Sequence, residues 1–421
     1  MQRAPKVAIV VRAPHQHDVL ENFETDIYSQ VGGSLAGLMH GLVLSKAGFA
    51  VHIFEQSLSG DRQDQGAGIG LAQPVTDLLE MFGIDLRSMA FSASGIRILD
   101  HHLVEQGLAG QPMHLTAWSV LYERLKDTFG RLNSTGGVGS ALTSYDLGRR
   151  VTAMVDEGDT ITVHYQDLKA GISDRMSADL VVAADGGNSC IRTQLEPNIS
   201  RSYAGYIAWR AVVPASKISL STLGILGDKI NFVTSSGSGQ MTIYIIPRTA
   251  SSTAVGEKLI NLVWYYPVSQ SDPAYQSVMT DTLEVLHKRT VPSGRVRPEI
   301  WEKQCSIGRE AFAPPITEIL SNVHEPFVTS IDDFISSRAS HMGDKVLLVG
   351  DALAQSRPHT GMSTSEAARQ ALWLQDVLRG QDTFARWQLK TLESASRNIE
   401  QSREFAETYL WGSQIGSDHV A

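Results

Sequence analysis

The chain has 421 residues, 42% hydrophobic and 19% charged, with a formal net charge of −9. This is the balance of an ordinary soluble globular protein long enough for two or three domains, and it argues against a nucleic-acid partner, which would need a basic face. Two cysteines, Cys190 and Cys305, make no disulfide framework and point to a reducing, cytoplasmic setting. The most apolar window, Leu35 to Phe54, holds His40 and Lys46 and reads as helix plus strand, so no membrane partner is expected. The N-terminus lacks the apolar stretch of a secretory signal.

In chain order, KVAIV (Lys6 to Val10) is a short β-branched run suited to a buried parallel strand. SLAGLMHGLVLSKAG spaces small and apolar residues as a helix does, with Gly48 as its stop. AVHIF is the next strand. DRQDQGAGIG, Asp61 to Gly70, is polar and glycine-rich and predicts a loop. PVTDLLEMFGI and SVLYERLKDTF predict amphipathic helices, and TITVHYQDL and ADLVVAAD predict strands. From about Tyr203 to Ser330 the texture changes. YIAWRAVV, NFVTSS, MTIYIIP and NLVWYYPV are β-rich and aromatic, as in a sheet that walls a small-molecule pocket. KVLLVGDA, Lys345 to Ala352, returns to buried-strand texture. A helix from Thr364 to Leu378 follows, then a long one from about Thr383 to Tyr409. The dinucleotide-type pieces are therefore split around a β insertion.

Three stretches carry chemistry. The first is Gly32-Gly33-Ser34-Leu35-Ala36-Gly37, with Glu55 ending the following strand. Glycines let the backbone turn tightly against a pyrophosphate at a helix N-terminus, and an acid some twenty residues on accepts ribose hydroxyls. Ser34 stands where the middle glycine is usual. The second stretch, ADLVVAADGGNSCIR, ends a buried strand in Asp185-Gly186, with Ser189 and Arg192 beyond. The third, KVLLVGDALAQSRPHTGMSTSEAARQA, ends a strand at Asp351, which can hold a polyol or ribose hydroxyl. Pro358, Gly361 and Met362 then turn into a helix whose first amides favour negative charge.

These stretches, in this order, resemble the FAD-dependent aromatic hydroxylases, single-component flavin monooxygenases of the p-hydroxybenzoate hydroxylase fold. YAGYIAWRAVV, NLVWYYPV, VPSGRVRPEIWE and RPHTGMSTSEAA look most like the 2,6-dihydroxypyridine 3-monooxygenase branch, and a fungal nicotinate-catabolism enzyme would fit. The resemblance implies an α/β fold, with a Rossmann-like FAD-binding domain interleaved with a β-sheet substrate domain and closed by a C-terminal helix. The divisions it suggests are 1–100, 101–200 and 331–380 for FAD, 201–330 for substrate and 381–421 for the C-terminal helix. It implies FAD as cofactor, NADH or NADPH as reductant and O2 as co-substrate. The expected reaction is hydroxylation of a small hydroxylated aromatic or N-heteroaromatic ring through a C4a-hydroperoxyflavin. Gly32, Gly33, Ser34 and Gly37 would cradle the pyrophosphate, with Arg62 reaching it or solvated. Glu55 and Gln56 would hold the adenosine ribose. Asp185 and Gly186 would lie near FAD and the nicotinamide, Asp351 at the ribityl chain, and Gly361 and Met362 at the isoalloxazine. Tyr206, Trp209, Arg210, Trp264, Tyr265 and His359 are the candidate substrate contacts, against a plain core reading for the Trp and Tyr residues. His359 is the candidate titrating neighbour, and the catalytic set is His359, Tyr206 and Arg210. Rival readings are a halogenase or reductase of the same fold, or a catalytically impaired flavin-binding protein. VWYYPV lacks the Trp-x-Trp-x-Ile-Pro stretch of halogenases. No metal is expected, and a homodimer is compatible with the reading.

One segment does not fit. Joining Val10 to Val31 gives KVAIVVGGSLAGL, an uninterrupted strand–turn–helix. The intervening Val11–Gln30 begins with a GT codon and ends with a residue encoded by CAG, as introns do. It reads as a retained intron or a gene-model error, with a genuine surface loop inserted in the motif as the alternative. Its HQHD is a solvated polar stretch.

Overall fold

The structure, a computed structural model, describes residues 6–11, 33–58, 67–134, 144–249 and 258–411. The first third of the chain forms β1 (Lys6–Val11), α1 (Gly33–Lys46), β2 (Ala50–Glu55), β3 (Gly68–Leu71), α2 (Gln73–Met81), β4 (Phe91–Ala93), β5 (Ile96–Asp100), β6 (Glu105–Ala109), β7 (Met113–Ala117) and α3 (Trp118–Ser134). The middle forms β8 (Ser144–Leu147), β9 (Arg149–Asp156), β10 (Ile161–Asp167), β11 (Ile172–Ala178), β12 (Leu180–Ala184), α4 (Cys190–Leu195), β13 (Ser202–Pro214), α5 (Leu220–Leu226), β14 (Ile230–Ser235), β15 (Gly239–Pro247) and β16 (Lys258–Pro267). The last third forms α6 (Pro273–Met279), β17 (Thr290–Val291), α7 (Pro298–Ala311), α8 (Pro314–Ser321), β18 (Phe327–Ile335), β19 (Ser340–His341), β20 (Val346–Leu348), β21 (Ala354–Gln355), α9 (Ser363–Leu378) and α10 (Phe384–Trp411).

Six strands in the order β19-β20-β12-β1-β2-β8 make the central sheet, parallel from β20 to β8 with β19 antiparallel at one edge. A strand buried on both faces needs apolar residues throughout, and Leu180–Ala184 is buried at every position. The same reasoning explains α1, buried continuously from Leu35 to Leu44 between the sheet and helices α3 and α9. Gly48, at φ +90°, ends it by taking a backbone conformation that costs a side-chain-bearing residue dearly. The antiparallel trio β9–β11 packs against β1 and β2.

A second, largely antiparallel sheet runs β17-β18-β13-β16-β15-β14-β5-β6, with β21 paired to β18. One face buries Trp209, Trp264, Ile243 and Leu262 in a separate core completed by α7 and α8. The long α10 spans both units: Trp387 donates its ring N–H to the Gln370 carbonyl at 3.0 Å, while Phe405 packs edge-on to Phe232 of β14.

The structure departs from the sequence reading at three places. Gly68–Leu71 is a strand paired with β7, not part of a loop. A Cβ at Gly68 would meet the Tyr244 ring at 2.6 Å, so glycine serves close approach there and not turning. Hairpin β5–β6 belongs to the large antiparallel sheet, which therefore reaches back into the segment read as dinucleotide-binding. Helices α7 and α8 interrupt the stretch read as β-rich. Each opens with proline at its first turn, a signal that was present at Pro298 and Pro314.

Candidate active site

Of the three acids singled out in the sequence, Glu55 ends a strand of the central sheet and Asp185 and Asp351 follow two others, all at one edge. Val11 of β1 pairs with both Glu55 of β2 and Ala184 of β12. Asp185 follows Ala184, and Asp351 follows β20, the next strand over. This is the carboxyl edge of a parallel sheet, where open α/β sheets bind nucleotides. Glu55 is fully buried and one oxygen accepts the Ser57 amide at 2.8 Å. Gln56 beside it is buried as well. Asp185 Oδ2 accepts the amides of Cys190 at 2.8 Å and Ile191 at 3.4 Å, holding the start of α4, while Oδ1 is buried without a partner. Gly186 has φ +74°.

Arg192, read as a following cation, is a clamp. It donates to the carbonyls of Ala352 (3.0 Å) and Gly187 (2.5 Å) and lies 4.1 Å above the Phe334 ring. It ties the end of β12 to the turn after β20. In that turn Gly350 has φ +55°, and a Cβ there would sit 2.8 Å from the Ala36 Cβ. Asp351 lines the main cavity; burial, partly offset by Arg192, pushes its carboxyl up to about 7. Gly361, at φ +64°, donates to the Pro358 carbonyl at 3.1 Å and precedes Met362, the N-cap of α9. Gly361, Ser363 and Thr364 line the same cavity, so the positive end of a 16-residue helix faces it. Gly33 and Ser34 are the first two residues of α1, and Gly37 lies one turn on. Gly32 and Arg62 lie outside the described residues.

The cavity measures about 250 Å³ and continues from Ala36 and Asp351 to the second sheet. Strand alternation decides what faces it. Across β13, β16 and β15, Arg210, Val263 and Thr242 stand in register on the cavity side, with Tyr265 two residues along. Trp209, Trp264 and Met241 stand in register on the other face, in the core. Trp209 and Trp264 are thus core residues, as the plain alternative had it. Tyr244 and Phe232 line the cavity and were not singled out, although period-2 spacing places Tyr244 on the same side as Thr242. Burial pushes the hydroxyl of Tyr265 up to about 12 and that of Tyr244 higher, and the nearby Arg210 guanidinium pulls both back. Arg210 itself has no ion-pair partner among the described residues, and its Nε is buried without an acceptor.

His359, 7% exposed, lines the cavity beside them. Its Nε2 lies 2.7 Å from the Tyr206 hydroxyl, its ring is 4.0 Å from Tyr265 and stacks on Phe405 at 5.3 Å, and its Nδ1 has no partner. Burial, with the Arg357 and Arg210 guanidiniums, lowers its pKa to about 3. This lowering favours the neutral imidazole in the ligand-free chain, where the sequence reading expects a titrating neighbour. Tyr206 is fully buried behind His359 and Tyr265, which it meets edge-on at 6.0 Å. Among the described residues no cluster of metal-ligating side chains occurs, and no helix is long and apolar enough to cross a membrane.

With this geometry in view, comparison with known proteins is decisive for the fold. Residues 203–333, mostly the large antiparallel sheet, match the family model described as FAD binding domain-like. The 2,6-dihydroxypyridine 3-monooxygenase of Paenarthrobacter nicotinovorans is 26% identical over 398 residues, 92% of each chain. The solved 2,6-dihydroxypyridine-3-hydroxylase of Arthrobacter nicotinovorans superposes with a TM-score of 0.79 at 23% identity, covering 99% of this chain and 95% of that one. The resemblance to the FAD-dependent aromatic hydroxylases is borne out. The 6-hydroxynicotinate 3-monooxygenase of Pseudomonas fluorescens is 28% identical over 213 residues, 46% of this chain and 49% of that protein.

Proposed function

We propose that the protein is an FAD-dependent monooxygenase that uses NAD(P)H and O2 to hydroxylate a small hydroxylated aromatic or N-heteroaromatic ring, such as a hydroxypyridine. The observation that carries this reading is one continuous cavity. It joins the carboxyl edge of a parallel sheet to a wall bearing Arg210, Tyr265 and His359. Two of the relatives are named for hydroxylated pyridines, which supports that substrate class.

The residues present suit FAD. The N-terminus of α1, with Gly33, Ser34 and Gly37 and the preceding Gly32, would take the pyrophosphate, with Arg62 near it. The buried Glu55 and Gln56 would take the adenosine ribose, and Asp185 and Gly186 the region between FAD and nicotinamide. Asp351, whose carboxyl can donate or accept near neutral pH, suits the ribityl hydroxyls. Gly361, Met362 and the helix start behind them suit the anionic edge of a reduced isoalloxazine. Bound FAD supplies acceptance of hydride from NAD(P)H and activation of O2. The chain's own part is to orient the ring, to exclude water with Phe232, Tyr244 and Ile96, and to stabilise negative charge on the substrate through Arg210. The testing experiment is a screen of hydroxypyridines and phenols against the purified protein. A yellow protein whose NAD(P)H oxidation one of these rings accelerates is the expected result; a colourless protein indifferent to NAD(P)H would refute the proposal.

A further inference from the structure

Phe334, on β18, is 4% exposed, yet it packs into none of the apolar cores formed by the described residues. Its ring is covered by charge instead. The Arg192 guanidinium lies 4.1 Å from the ring centroid and the Arg201 guanidinium 4.7 Å. The two arginines are held differently. Arg201 Nη1 donates to Asp332 Oδ1 and to Gln355 Oε1, each at 2.9 Å. Asp332 also accepts from Arg289 at 2.7 Å and from the Gln355 side-chain amide at 3.2 Å. Arg192, 6% exposed, donates to neutral carbonyls, those of Ala352 at 3.0 Å and Gly187 at 2.5 Å. Burial lowers its pKa to about 10, so it stays cationic at neutral pH. A desolvated cation is where the negative face of an aromatic ring counts most.

Both arginines grip one short stretch of backbone. Arg192 holds Ala352, and Arg201 holds Gln355 of β21, which pairs with Phe334 itself. From α9, Gln370 Oε1 accepts the Gly350 amide at 2.7 Å. Asp351 sits inside this grip and lines the cavity with Thr329 and Ile331 of β18. Leucine at 334 would fill space but offer no negative face.

We propose that Phe334 is a positioning residue: through its ring face it seats Arg192 and Arg201, which together fix the 350–355 turn, and so Asp351, against the β18 wall of the cavity. The consequence for the cofactor rests on the functional reading above; the grip on the turn does not.

The test replaces Phe334 with phenylalanines bearing one, two and three ring fluorines, which drain the π face at nearly constant shape. The first readout is amide hydrogen exchange of the ligand-free protein at Gly350, Ala352 and Leu353, whose acceptors are Gln370 Oε1 and the Val349 and Gly350 carbonyls. Exchange there should quicken stepwise, roughly tenfold with the third fluorine, while the β15 and β16 amides keep their wild-type rates. Unchanged exchange at the turn, or equal quickening throughout the molecule, would overturn the proposal. The second readout is FAD affinity by flavin-fluorescence titration. It should weaken in the same steps, and the steps should vanish in Arg192→Met. A loosened turn with unchanged FAD affinity would refute the link to the cofactor. If the wild type binds no flavin, the functional reading and that link fall together, while the exchange measurement decides the grip alone.

Discussion

Ala36, in the first turn of α1, and Gly350, in the turn after β20, are in such close contact that a Cβ at Gly350 would sit 2.8 Å from the Ala36 methyl carbon. The contact sets the helix N-terminus beside the turn that carries Asp351, so two parts of the proposed cofactor site are placed by one absent side chain. Gly350→Ala adds both that clash and the strain of a positive φ, of about 1–3 kcal/mol. It should lower the unfolding midpoint in urea and weaken FAD binding at least several-fold by flavin-fluorescence titration. Wild-type values for both would show that the contact does not set the site.

Asp351 gives a pH dependence of unusual sign. Its carboxyl stands at about 7 in the folded chain against 3.8 for an ordinary aspartate. The folded state therefore holds a proton that the unfolded state releases. In the ligand-free protein the ionised form is penalised, so this group's destabilising contribution grows as pH rises from about 4 to about 7 and is constant above. Asp351→Asn should raise the Tm of the apoprotein relative to wild type at pH 8 and not at pH 4, while lowering FAD affinity. Equal Tm differences at the two pH values would contradict the assignment.

Asp333 behaves oppositely. Burial alone would raise its pKa, but the donors of Arg403 and Arg357 more than offset this and hold it below the usual range. Its contribution is present above about pH 4 and lost as pH falls through the folded value. Asp333→Asn leaves the largely buried Arg357 without its charge partner. It should cost on the order of 3 kcal/mol at neutral pH, read from urea unfolding, with the difference shrinking in acid. A cost below about 0.5 kcal/mol would mean that the pair behaves as a solvent-exposed one.

Much of this architecture was legible in the residues. The strands before Asp185 and Asp351 are buried at every position, which demands unbroken apolar runs, and such runs announce themselves. Their common edge follows from parallel pairing. The substrate end was legible only in part. Trp264 and Tyr265 are adjacent and both aromatic, yet alternation sends one to the core and the other to the cavity. Which face is which depends on packing that composition does not carry. The lowered pKa of His359 was out of reach, because it comes first from burial that only folding creates and then from Arg357, two residues before it, and Arg210, nearly 150 residues away in sequence. Gly68 misled for the converse reason: glycine there admits the Tyr244 ring, a demand no local pattern records.

The segment Val11–Gln30 carries its own prediction. Val11 occupies the last position of β1 and α1 begins at Gly33, while residues 12–32 lie outside the described residues. A chain with Val10 joined to Val31 restores strand, turn and helix in direct succession. It should bind FAD at least as tightly as the full chain, and transcripts across the junction should lack those codons. Weaker FAD binding by the shortened chain, with every transcript carrying the segment, would make it a genuine part of the protein.

The most direct measurement follows oxygen. The flavin-loaded protein is incubated with NAD(P)H, isotopically labelled O2 and the hydroxypyridine that best accelerates NAD(P)H oxidation, and the product is weighed by mass spectrometry. One labelled oxygen atom on the ring is the predicted result. NAD(P)H consumption with an unchanged ring, or a product whose new oxygen comes from water, would contradict the account.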